Sequence, residues 1–344
     1  MRRLKVSAEQ MSGCYHCVSR VVGRQAALTD EVRDHFVCLM REHEALCQVE
    51  VLTFCVLPDH FHLLVRVPQR PQRLPTAEEI VGRIEGLLGR RAALPLRLTM
   101  RAFRRRRDEA GERAWLAGLH VRMWDVSLFM KLLKQRFTQW YNRRNARTGT
   151  LWETRFDSVL VESSGPALQA MAAYIDLNPV RAGRVGDPKD YRWSGYGEAV
   201  TGQARAREGI RTLVMLAQRV RDISEARALE AHRVQMTPNS APAVVAHDAP
   251  ASAGMAAGTG GPDRAALLRR LEAEGRLPMP EYLQCRVRYF SEGGVLGSRA
   301  FVEEIFRRHR DRFGSRRKTG ARKVKGLLGP SLFTVRDLRS AVFG

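Results

Sequence analysis

The sequence predicts an α+β fold, an antiparallel sheet with helices packed on it. Three observations carry this. The first 70 residues read strand, helix, strand, strand. The second and third strands are joined by so short a turn that they must pair antiparallel. A basic helix with an apolar stripe and one more strand then follow before residue 165.

The elements are justified in order. CYHCVSRVV (14–22) is rich in β-formers and stops at Gly23. Thr29 stands where an N-cap belongs, and Asp30 and Glu31 follow at the positive end of the helix dipole. Val32, Phe36, Leu39 and Met40 recur at helical spacing behind them. VEVLTFCVL (49–57) is a strand, Pro58-Asp59 a tight turn, and FHLLVRV (61–67) the returning strand. Residues 69–126, rich in Pro and Arg, read as broken helices and mobile loop. Ser127 is the expected cap of LFMKLLKQRFTQWYNRRN, in which Leu133, Phe137 and Tyr141 stack four apart. FDSVLVE (156–162) reads as a strand, and GPALQAMAAYIDLN (165–178) as a helix opened by Pro166. More helix is expected over 205–233.

Composition then changes. Residues 237–263 are Pro, Ala, Gly and Ser with almost no large apolar side chain, and read as a flexible linker. Beyond it, 264–344 reads as a basic helical tail. PEYLQCRVRYF and SRAFVEEIFRRHRDRF are its first two helices, turned at Gly293-Gly294, with Ser298 as N-cap. TVRDLRSAVF is a third, with Thr334 and Asp337 at capping-box spacing. The expected organisation is a domain over 1–200, a helical extension over 201–236, the linker, and the tail.

Lys and Arg number 58 against 36 Asp and Glu, a net charge of +22 and a pI near 10.8. That excess points to a polyanion, since each phosphate neutralised releases condensed counterions. The bland alternative is an Arg-rich soluble surface. The N-terminus lacks the apolar run of a secretory signal, and no apolar run spans a bilayer, so a cytoplasmic protein with no membrane partner is expected. Six scattered cysteines suit a reducing compartment. Cys14 and Cys17 form one C-x-x-C, but their odd separation in a strand turns them to opposite faces, which argues against zinc.

Chemistry enters at VLPDHFHLLV (56–65). Positions two apart in a strand share a face, so His60 and His62 can aim two imidazoles at one cation. The same pattern also suits a packed histidine beside an exposed one. Tyr174 and Asn178, four apart in a helix, share a face flanked by Met171 and Ile175 that should look toward the sheet. Tyr141 and Asn145 repeat this spacing in the basic helix, and local pattern does not choose between the pairs. No role is assigned to His16, His35, His43 or His120.

VLPDHFHLLV, LKQRFTQWYNRRN, GTLWETRFDSVLVE and YIDLNPVRAG, in this order, resemble the single-tyrosine HUH transposases, and most closely their REP-associated branch. The resemblance spans about residues 10–200. It implies a ferredoxin-like strand order, His60 and His62 as metal ligands, Tyr174 as nucleophile and Asn178 as third ligand. Tyr141 then falls to a structural or DNA-contact role. The cofactor implied is Mg²⁺ or Mn²⁺, and the substrate single-stranded DNA, with a hairpin as address. Lys134, Arg136, Trp140, Tyr141, Arg143, Arg144 and Arg147 are the expected DNA contacts, with Trp152 a further stacking candidate. The longer stretch 69–126 and the tail beyond 237 depart from compact members. Two other classes remain in play: a DNA-binding protein without cleavage, and a metal hydrolase that activates water.

Overall fold

The computed structural model describes residues 4–9, 11–237, 264–338 and 342–343. The linker expected over 237–263 lies, apart from Thr237, outside them. The chain forms two compact units, Met1–Leu52 with Val56–Ser163, and Thr53–Cys55 with Ser164–Gly344.

In the first unit β1 (Gly13–Arg20) leads through α1 (Asp30–Cys47) to the hairpin of β2 (Glu50–Val56) and β3 (His60–Val67). The turn closes with Leu57 N–H donating to His60 O at 2.8 Å. Three helices follow, α2 (Ala77–Leu88), α3 (Arg90–Arg105) and α4 (Glu109–His120), then α5 (Val126–Arg144) and β4 (Asp157–Val161). The strands lie in the order β2-β3-β1-β4. β1 runs antiparallel to β3 from Gly13↔Val67 to Arg20↔His60, and antiparallel to β4 from Cys14↔Val161 to Val18↔Asp157. This is the ferredoxin-like order expected.

Over 77–120 the expected broken helices are there as α2, α3 and α4, while the expected mobile loop is corrected, since helix takes most of that stretch. A capping box closes the start of α2, Thr76 accepting from Glu79 N–H while the Glu79 carboxylate accepts from Thr76 N–H. Pro95 is accommodated inside α3, where composition had argued for a break. Two further corrections concern caps. Thr29 holds the N-cap position of α1 without a side-chain hydrogen bond, and α5 is capped by Asp125, not Ser127. The Asp125 carboxylate takes the N–H groups of both Ser127 and Leu128, at 2.6 and 3.0 Å.

Alternation along β3 decides the first unit's core. Phe61 packs 4.6 Å from Phe36 of α1 and 5.2 Å from Trp152, and Phe36 and Trp152 both meet Phe137 of α5. All four are buried, and their burial and ring contacts clamp α1 and α5 to this face of the sheet. His60 and His62, one residue to either side of Phe61, therefore point to the opposite face.

The second unit begins with α6 (Pro166–Asp176), α7 (Asn178–Arg181), α8 (Gly195–Val200), α9 (Ala204–Gln218) and α10 (Glu225–Val234). Gly165, at φ 73° and ψ −163°, opens α6 in a conformation that a side chain would strain. The tail carries α11 (Arg264–Glu274), α12 (Met279–Gln284), α13 (Tyr289–Glu292) and α14 (Arg299–Arg308), the last capped by Ser298 as expected. It is not purely helical. Short strands β5 (Leu277–Pro278) and β8 (Leu327–Leu328) pair parallel, while β9 (Phe333–Thr334) pairs antiparallel with both β6 (Val295–Gly297) and β7 (Arg322–Lys323). The helix expected from Thr334 is thus a strand at its start. Thr334 Oγ1, expected as a cap, instead donates to Gly293 O at 2.7 Å in the interior. Among the described residues no helix is long and apolar enough to cross a membrane.

Candidate active site

The register Val18↔His62 and Arg20↔His60 puts both histidines on one face of the sheet, and His16, two residues back along β1, joins them. His62 and His16 are buried, and the His60 side chain is about a fifth exposed. The rings of His60 and His62 are 5.0 Å apart and nearly perpendicular. Each Nδ1 is engaged. His60 Nδ1 meets Asp59 Oδ1 at 2.7 Å, and His62 Nδ1 meets His16 Nε2 at 2.8 Å. Burial alone would raise the Asp59 carboxyl, but its hydrogen bond to His60, the His60 ring and the nearby Arg20 hold it below the ordinary carboxylate value.

Asp59 and His16 orient the two imidazoles from behind, as partners of metal-binding histidines do. Neither belonged to the expected set. Asp59 had a signal in its adjacency to His60. His16 had one only once the strand register was known. Cys14 and Cys17 are both buried, with opposite-face partners Arg66 and Leu63. Burial pushes the Cys14 thiol up to about 11, the Ser163 side chain and Arg66 only moderating it. Among the described residues no three His, Cys, Asp or Glu side chains are grouped to hold a metal ion. A ligand set here needs an amide or water beside the imidazoles.

His60 and His62 belong to the first unit, Tyr174 and Asn178 to the second. The expected helix over 165–178 breaks at Leu177. Pro179 has no N–H to give the Ile175 carbonyl, so α6 ends, and Asn178 Nδ2 donates instead to Ile175 O at 3.0 Å and to Tyr174 O at 3.3 Å. Both amide hydrogens thus point into the helix end, and Oδ1 is the atom left to accept or ligate. Arg181 adds a second clamp. Its Nη2 donates to Tyr174 O at 2.6 Å, its Nη1 to Leu283 O at 2.7 Å, and its guanidinium carbon sits 4.0 Å from the Tyr174 ring centre. Phe290 stacks on Tyr174 at 4.7 Å and 14°, leaving Tyr174 only 3% exposed. The tail residues Leu283 and Phe290 are therefore part of this site, which no local sequence signal announced.

Directly behind Tyr174, Asp176 is fully buried. It accepts from Thr53 Oγ1 at 2.8 and 2.9 Å, from Tyr196 N–H at 3.2 Å and from His232 Nε2 at 2.8 Å. The rival pair uses the same device at the surface. Asn145 Nδ2 donates to Tyr141 O at 2.8 Å, and Asn145 is exposed.

The expected DNA contacts on α5 divide. Lys134 is buried, its ammonium donating to the carbonyls of Thr154, at 2.8 Å, and of Arg155. Trp152 is in the core, its Nε1 donating to Thr138 Oγ1 at 3.0 Å. Both hold the unit together rather than face solvent. Arg136, Arg143, Arg144 and Arg147 are exposed, and Trp140 and Tyr141 half-buried. Arg144 pairs with Glu31, and Trp140 stacks on His35 at 3.8 Å.

Residues 9–91 match the family model described as "Transposase IS200 like". A solved structure described as "Structure of the REP associates tyrosine transposase bound to a REP hairpin" is similar at 15% identity and a TM-score of 0.36, over 59% of this chain and 85% of that one. No curated protein matches the chain. Across residues 9–91, the segment that carries His16, His60 and His62, this chain is similar to the IS200-like transposases.

Proposed function

We propose that the chain is a metal-dependent enzyme of single-stranded DNA that cuts one strand and rejoins it through a 5′-phosphotyrosine. The observation that carries this is the arrangement at β3, where two imidazoles share one face of the sheet and Asp59 and His16 meet their Nδ1 atoms, so that Nε2 is the atom each would offer a cation. For His62 this requires one tautomer. Its Nδ1 must keep the proton and donate to His16 Nε2, so that its Nε2 carries a lone pair. Asp59 enforces the same tautomer at His60.

Two imidazoles are donors for a divalent ion, for which Mg²⁺ or Mn²⁺ is proposed, with the Asn178 amide oxygen as the proposed third donor. When bound, the ion supplies charge neutralisation at the scissile phosphate. The chain's own residues do the rest. Tyr174 Oη attacks phosphorus, the new O–P bond forming as the P–O3′ bond breaks. The phenolic proton passes to solvent and the departing O3′ takes one up, leaving a 3′-OH. The phosphotyrosine keeps the bond energy, so a 3′-OH from another end can reverse the attack without a high-energy cofactor. Arg181 holds the Tyr174 backbone and ring during this step. The proposed DNA carries a hairpin, the address its resemblance to REP-associated members implies.

A second reading, a DNA-binding protein without cleavage, is favoured by one observation: Tyr174 is buried beneath Phe290. A denaturing gel separates the two. Full-length protein, hairpin-bearing single-stranded oligonucleotide and Mn²⁺ should give an SDS-resistant adduct on the 5′ side of the break. Tyr174→Phe should abolish adduct and nick, while Tyr141→Phe should keep both. Cleavage that survives both changes with no adduct would assign the attack to water.

A further inference from the structure

A groove of about 760 Å³ opens in the first unit where α1, α2, α3 and α5 meet. Its size lies in the range of about 300–1,000 Å³ typical of ligand clefts. Arg91, Arg122, Arg136 and Arg143 line it, all exposed, and Glu42 is the one carboxylate among the described lining residues. Elsewhere in the stretch 69–126 several arginines are paired: Arg73 with Glu79, Arg97 with Glu85, Arg104 with Glu78 and Glu112, Arg113 with Glu109. Among the described residues the four groove arginines have neither a salt bridge nor a side-chain hydrogen bond. Four like charges beside one another repel, and an anion from outside relieves that repulsion.

The rest of the lining names the anion's class. Trp140, stacked on His35, forms part of the wall, and apolar side chains such as Leu39, Ile84 and Leu88 line it too. A bare phosphate has no use for an aromatic face and an apolar wall. A nucleotide chain uses both, its phosphates on guanidinium forks and its bases on the ring. The groove is too small for a duplex, whereas the bases of a single strand can enter.

We propose that this groove binds a segment of single-stranded nucleic acid, forming a second DNA contact apart from the histidine site. Arg91 and Arg122 come from the stretch 69–126, so that helical region contributes directly to substrate grip. The proposal extends the reading of the chain as a single-strand enzyme, and its test does not depend on cleavage.

The test is fluorescence anisotropy of full-length protein with a labelled oligothymidylate, without divalent metal, across a salt series. Arg91→Gln/Arg122→Gln should weaken binding about tenfold and reduce the slope of log affinity against log salt by about two units. Arg73→Gln/Arg113→Gln removes the same two charges from paired arginines and should change affinity less than about threefold, because those charges are already screened by partners. Trp140→Ala should weaken oligothymidylate binding but leave inorganic polyphosphate binding unchanged. Equal losses in the two double variants would reduce the effect to net charge and overturn the site. So would wild-type binding by Arg91→Gln/Arg122→Gln. A Trp140→Ala variant unchanged toward oligothymidylate would overturn the nucleic-acid assignment. Binding loss at the groove stands whether or not Tyr174 forms an adduct, so the two readings fail separately.

Discussion

His16 Nε2 and His62 Nδ1 lie 2.8 Å apart across the β1–β3 ladder, their rings stacked at 5.1 Å and 15°. Each imidazole fixes the tautomer of the other. If His62 is a ligand, His16 is the residue that keeps its Nε2 unprotonated.

His16→Ala should therefore weaken Mn²⁺ binding about 10- to 100-fold, the usual effect of deleting a hydrogen-bond partner behind a metal ligand. His16→Gln should restore part of it, because a side-chain carbonyl can accept the Nδ1 proton. Calorimetric Mn²⁺ titration reads this without reference to cleavage. Unchanged affinity in His16→Ala would remove His16 from the site.

Phe290 covers the ring of Tyr174, so on the proposed function attack on DNA would require the stack to open. Phe290→Leu keeps apolar volume but loses the flat contact. On the proposed function, adduct should form faster in this variant at equal DNA occupancy, and Tyr174 should nitrate more readily in the native protein. A slower reaction in a normally folded variant would mean that Phe290 positions the tyrosine rather than shielding it.

The Asp176 carboxylate joins Thr53, the Tyr196 backbone and His232 in the interior. Asp176→Ala strands several buried polar groups at once. It should destabilise the protein by about 3–5 kcal/mol, measured by urea unfolding. A loss below about 1 kcal/mol would show the network to be replaceable by water.

Arg233 grips Asp187 with two hydrogen bonds of 2.9 and 2.7 Å, and this bond, against the opposing effect of burial, holds the Asp187 carboxyl below its ordinary value. A depressed folded value stabilises above the unfolded one and is lost as pH falls through the folded one. Because Arg233 is 37% exposed, solvent screening limits the pair to about 1 kcal/mol. Asp187→Asn should thus be less stable than wild type by about that amount at pH 7. Denaturation curves of the two should converge as pH drops below about 4. A difference that persists at pH 2 would exclude the ion pair as its source.

Local pattern was informative where one chain segment sufficed. The β1-α1-β2-β3 run, the Pro58-Asp59 turn, Pro166 at the first turn of α6 and the Ser298 cap each depend on a few neighbouring residues, and each appears as read. Over residues 77–120 the expected broken helices are present, but the mobile loop that Pro and Arg content argued for is not. An i,i+3 capping box and ion pairs between helices, such as Arg97–Glu85, decided otherwise. Lys134, expected at the DNA, is buried for a related reason, and Trp152, for which stacking and core packing were equally open, packs in the core. Charge and aromaticity say what a side chain can do, but burial on α5 and beside it says which groups it meets.

By itself the sequence determined that His60 and His62 share a face and that Phe61 takes the other, because strand periodicity is a property of the backbone. It likewise placed Tyr174 and Asn178 one turn apart. Only the tertiary structure decided that His16 stands behind His62, that Phe290 lies on Tyr174, and that four arginines from separated stretches line one groove. These are contacts between residues 46, 116 and up to 52 positions apart. No local rule fixes them. They follow from strand register and helix packing, which are settled by burying apolar surface across the whole unit.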